Sequence, residues 1–191
     1  MQNKLNKRVL IQWDFILFLT ISLFLLPIKL VVNWLLSCAL HEFCHLIALR
    51  SLKVSVFCVE IKATGMQIKT DTMEPKEEII CALAGPLGGL SGFLFLRINP
   101  IFAIFTMIQS AFNLLPVYPA DGGRVLRCVL ALKTGEKKAR IISKLVNLNI
   151  IVILSFICIM YLYRIGFNSI RTIAVCVIVI ALVLKNSLQR G

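Results

Sequence analysis

Only two histidines occur in the 191 residues of this chain, and they stand four apart in His41-Glu42-Phe43-Cys44-His45. On a helix, residues four apart lie roughly 40° apart around the axis and about 6 Å along it, so two imidazoles converge on one ion. Glu42, the next residue along, projects near the coordination position left open, where a carboxylate can act on water as a general base. The pattern points to metal-assisted hydrolysis with one zinc ion per chain. A plainer reading makes His41, Glu42 and His45 satisfied polar groups of a helix core. Against it stands the setting: an ionisable group at mid-membrane costs about 2.5 to 3.5 kcal/mol, so groups found there usually have work to do.

Catalytic zinc takes three protein ligands and leaves a fourth position for water, so two histidines require a partner. Cysteine or carboxylate can supply it. The chain has three aspartates, and Asp121 stands in Asn113-Leu114-Leu115-Pro116-Val117-Tyr118-Pro119-Ala120-Asp121-Gly122-Gly123, where two prolines and two glycines break an apolar segment. Asp121 is the expected third ligand, with a turn or helix-cap role as the alternative. Cys44 points to a neighbouring helix face and reads as core packing before it reads as a ligand.

The elements that must position these residues are set by composition. With 59% apolar residues, 16% charged and a mean hydropathy of +0.89, the chain is too apolar for a soluble domain of its size. It reads as an all-α polytopic membrane protein with about six transmembrane helices: about 9 to 26, 28 to 49, 78 to 96, 98 to 115, 141 to 163 and 168 to 184. The histidines fall in segment 2 and Asp121 follows segment 4. No small-residue cleavage site follows the first apolar run, so no cleavable signal is expected. Pro27, Pro100 and Pro116 punctuate three boundaries. Seven cysteines without a C-x-x-C pair read as reduced small hydrophobes.

The net charge of +12 excludes little by itself, but Lys and Arg cluster at the ends of apolar runs without interleaved aromatics, which argues against nucleic acid. With the N-terminus in the cytoplasm, seventeen of the 21 basic residues face inside, and only Lys29, Arg97, Arg164 and Arg171 fall outside. That bias predicts that both termini are cytoplasmic.

Residues 54 to 70 alternate: Val59, Ile61 and Ala63 with Glu60 and Lys62, then Met66 and Ile68 with Gln67 and Lys69, about a turn at Thr64-Gly65. A short β-hairpin on the membrane surface is expected, with an edge strand able to pair with an extended peptide. A plain surface connector would account for the same residues. In segment 3, small residues recur at 84 and 88, 85 and 89, and 88 and 92 around Pro86, so another helix can approach closely there.

Taken together, His41 to His45, the Ala84-Gly85-Pro86 stretch and Asn113 to Gly123 resemble the site-2 protease family of intramembrane zinc metalloproteases, over roughly residues 30 to 130. Among its branches the chain looks most like the stage IV sporulation protein FB type. The resemblance implies that His41, His45 and Asp121 bind zinc, that Glu42 is the general base, and that Asn113 and Pro119 position the substrate. It also implies a single integral membrane protease domain over 1 to 191, with segments 2 to 4 as its catalytic core and segments 5 and 6 at about 141 to 184. Neither a PDZ nor a CBS domain is expected, and Ala120 stands where Leu is usual.

The expected substrate is a membrane-associated protein, such as the pro-form of a sporulation sigma factor in a bacterial cell membrane or internal forespore membrane. A housekeeping protease cleaving anti-sigma factors or signal-peptide remnants would carry the same motifs. Expected partners are an inhibitory or scaffolding membrane protein and further copies of the chain. Two rivals from other classes are a metal transporter and a catalytically silent scaffold. A transporter should place polar groups along several spans, and a silent scaffold should have lost Glu42 or a ligand.

Overall fold

The computed structural model describes residues 8–63 and 65–165. A strand β1 (Arg8–Ile11) leads into helix α1 (Trp13–Leu25) and, past Pro27, into α2 (Ile28–Ser51). Strands β2 (Val56–Lys62) and β3 (Gly65–Thr70) follow, then α3 (Pro75–Leu90), continued by a 3-10 turn at Ser91–Phe95. Helices α4 (Pro100–Asn113), α5 (Asp121–Thr134) and α6 (Glu136–Ile165) complete the described chain.

Three of these helices are long and apolar enough to cross a membrane: Ile28–Ser51, Pro75–Phe95 and Glu136–Ile157. They match the second, third and fifth expected segments. The first and fourth form shorter apolar helices of 13 and 14 residues, about 20 Å of helix against a hydrocarbon core of about 30 Å. The sixth, 168 to 184, lies outside the described residues.

Helix starts follow local chemistry. Pro75 opens α3 behind a capping box, in which the Glu77 carboxylate accepts the Glu74 N–H at 3.1 Å. Pro100 opens α4, and Asn99 accepts the Phe102 N–H at 3.2 Å. The same Asn99 donates its amide to Asn33 of α2 at 2.6 Å, and Ser37, one turn further along α2, donates to Gln109 of α4. Interhelical hydrogen bonds of this kind, with little water to compete, help fix how α2 lies on α4. Against them α3 and the 3-10 turn that continues it bring glycines: a Cβ at Gly89 would strike Ser110, and one at Gly92 would strike Thr106. Close approach of backbones therefore replaces side-chain interdigitation along α3 and α4.

The hairpin forms, and it is joined by a strand that the hydropathy pattern conceals. β1 pairs in parallel with β2, Val9 opposite Val59 and Ile11 opposite Ile61, giving the order β1-β2-β3. Residues 8 to 11 are thus a strand instead of the start of the first span. A four-residue apolar run next to a longer one carries no period of its own. Gly65 takes φ +116, which accounts for glycine there. Glu60 is buried in the sheet and held by Lys69 and, at 2.9 Å, by Lys62. Those hydrogen bonds keep its carboxyl below the usual carboxylate range.

Candidate metal centre

The buried face of α2 is polar at one-turn intervals: Asn33, Ser37, His41 and His45. This stripe turns toward α3 and α4, where Gly85 makes room for the imidazoles. A Cβ on Gly85 would meet Cε1 of His45 at 2.6 Å and Cε1 of His41 at 2.8 Å, as well as Nε2 of His45. Replacing Gly85 with Ala is therefore expected to displace the histidines and lower the zinc content of the purified protein. Gly92→Ala, which strikes Thr106 instead, should leave zinc content unchanged; equal losses in both would count against this role for Gly85.

Asp121 is the first residue of α5 and is buried. Its Oδ2 lies 3.1 Å from Nε2 of His41 and 3.2 Å from Nε2 of His45, and the two Nε2 atoms are 3.2 Å apart. Three donors around one zinc at about 2.0 to 2.2 Å stand roughly 3.3 to 3.6 Å from one another in a tetrahedron, so a small outward shift admits the ion. His45 settles its own tautomer. Nδ1 lies 2.8 Å from the Cys81 carbonyl of α3, which can only accept, so Nδ1 carries the proton and Nε2 presents its lone pair. Nδ1 of His41 is buried without a hydrogen-bond partner. A shared cation accounts for two lone pairs and a carboxylate oxygen aimed at one point; His41, His45 and Asp121 form a candidate ligand group for zinc.

Glu42 is half-buried and within electrostatic reach of His41, His45, Asp121 and Arg124. Cys44 faces away, its sulfur against Gly88 of α3, which agrees with the packing role expected for it. Asn113 ends α4, and Pro119 is exposed after a cis Tyr118-Pro119 bond; neither supplies an atom to the cluster.

Three contributors escape a motif-based reading. The Cys81 carbonyl carries no side-chain signal at all. Arg124 and Glu78 form the others: Arg124 Nη1 is 3.5 Å from Oδ1 of Asp121, and its Nε is 3.3 Å from Glu78 of α3. Burial disfavours the Arg124 charge, yet the Glu78 and Asp121 carboxylates outweigh it and raise its pKa. The signal available was spacing, because Asp121 and Arg124 stand three apart on one helix face.

The fold is that of a site-2 protease. The solved site-2 protease from Methanocaldococcus jannaschii superposes with a TM-score of 0.70, covering 100% of this chain and 94% of that one at 21% sequence identity. In sequence, the chain is 27% identical over 146 residues to a zinc metalloprotease of the same organism, 65% of this chain and 43% of the relative. It thus spans less than half the length of that relative. No protein-family model matches the chain.

Proposed function

We propose that the chain is a zinc-dependent endopeptidase that hydrolyses a peptide bond of a membrane-associated protein at or near the cytoplasmic membrane face. The observation that carries this reading is the convergence of His41, His45 and Asp121 from two helices on one point, with Glu42 next to His41 on α2. The zinc metalloprotease relative and the site-2 protease fold support it.

Zinc held by His41, His45 and Asp121 would supply Lewis-acid polarisation of the substrate carbonyl and acidify a water. Glu42 takes the proton from the attacking water and later delivers it to the leaving amine. Asn113 and Pro119, at the two ends of the connector that leads into Asp121, position the substrate backbone. A helical substrate must open locally to expose its peptide bond, and the outer edge of β3 offers hydrogen-bonding groups to the extended strand. Cleavage of a co-expressed, membrane-anchored substrate, lost in the Glu42→Gln chain, tests the reading against a silent scaffold or a metal transporter.

The protease core spans about 30 to 130 within a single multi-pass domain of six spans. A pro-form of a sporulation sigma factor in a forespore membrane is the proposed substrate, and an anti-sigma factor or signal-peptide remnant the alternative. An inhibitory membrane partner and self-association are proposed with it. Both termini are placed in the cytoplasm on the distribution of Lys and Arg. Reporter fusions after Lys133 and after Arg190 should both read cytoplasmic, and an external signal at either would overturn this topology.

A further inference from the structure

We propose that Arg124, braced by Glu78, holds Oδ1 of Asp121 away from the metal, so that Asp121 acts as a ligand through Oδ2 alone. This rests on reading His41, His45 and Asp121 as the zinc ligands. A carboxylate can offer a metal one oxygen or two. In this site the two are already distinguished, since Oδ2 faces both Nε2 atoms at 3.1 and 3.2 Å while Oδ1 faces Nη1 of Arg124 at 3.5 Å. A second oxygen on the ion would compete for the position that a hydrolytic centre keeps for water.

The guanidinium suits this task because its nitrogens diverge in a rigid fork, so Nε can meet Glu78 on α3 while Nη1 meets Asp121 on its own helix. Two carboxylates on either side then fix the plane of the fork. The backbone beneath is held separately. A Cβ on Gly122 would strike the Leu114 and Leu115 carbonyls, and one on Gly123 would come within 2.6 Å of the Tyr118 nitrogen. Packing of the two glycines places the first turn of α5, and Arg124 sets which carboxylate oxygen points inward. Arg124 is thus a positioning residue for the metal centre.

The test uses the full chain, purified metal-free in detergent, and reads zinc affinity by chelator competition and the visible absorption of cobalt(II) in place of zinc. Four-coordinate cobalt absorbs more strongly than five- or six-coordinate cobalt, so a gained ligand oxygen is visible directly. Arg124→Gln should weaken zinc binding by about 10- to 100-fold, the range for partners that orient a ligand, and lower the cobalt absorption. Arg124→Lys should recover part of both. Glu78→Gln should act in the same direction with a smaller effect, and add nothing in the Arg124→Gln background. Wild-type affinity and spectrum in Arg124→Gln would overturn the clamp, as would a full additional effect of Glu78→Gln in that background. Should Arg124→Gln fail to fold, Arg124→Lys decides: a weakened cobalt spectrum supports the clamp and an unchanged one overturns it. Asp121→Asn runs in parallel. Loss of zinc there with no change in Arg124→Gln removes the clamp alone, whereas retained zinc in Asp121→Asn removes the ligand assignment and the clamp with it.

Discussion

Replacing Glu42 by Gln is expected to leave zinc bound and to lower peptide-bond hydrolysis by about two to four decades, the usual range for losing a general base. The substitution keeps the side chain's size on α2, so His41 and His45, one residue before it and three after, keep their places against Gly85. What is lost is an acceptor for the proton of the attacking water. The amide of Gln cannot take that proton, and among the described residues no other carboxylate joins Asp121 and the histidines in the cluster. The measurement pairs zinc content with the rate at which a smaller product forms from a co-expressed substrate. Zinc retained with cleavage lost supports the assignment, and full activity in the Gln chain would sink the mechanism.

Asp121→Asn is expected to act one step earlier, on the metal itself. Its carboxylate is the only charged donor among the three converging groups, and it comes from a different helix than the histidines. Removing it leaves two imidazoles, a set too small to define an open catalytic site. Zinc affinity should fall by more than about 100-fold, the upper end of what orienting partners alone provide. Asp71 is the control, since it is exposed between β3 and α3, and Asp71→Asn should bind zinc as the wild type does. Asp14 is a less neutral choice because its Oδ2 accepts the Ala63 N–H at 3.2 Å and ties α1 to the sheet. Unchanged affinity in Asp121→Asn, with loss on replacing Cys44, would show that the third ligand had been misassigned.

Much of this arrangement is legible before any coordinates. His41 and His45 announce themselves through a fixed helical spacing, and Asp121 through the prolines and glycines that break the chain ahead of it. The alternation of Val59, Ile61, Met66 and Ile68 with polar neighbours marks β2 and β3 by its period of two. In its exposure β3 keeps that alternation, whereas in β2 the buried residue is Glu60, held by two lysines. Two elements leave weaker marks. β1 is four residues long and merges into the apolar run of α1. Helix α5 carries Arg124, Arg127 and Lys133 within 14 residues, so a search for uninterrupted apolar spans passes over an amphipathic helix that lies against α3. The Glu78 to Arg124 contact is tertiary, joining positions 46 residues apart, and no local period encodes it.

The parallel pairing of β1 with β2 has a consequence for how the chain threads the bilayer. Two strands that share hydrogen bonds must lie on the same side of a membrane, and α1 and α2 are all that connects them. The number of crossings made between Ile11 and Val56 is therefore even: a chain that leaves through α1 has to come back through α2. The sheet acts as a clasp that closes this excursion at its base, and it imposes that parity through backbone geometry alone, without reference to a single lysine or arginine.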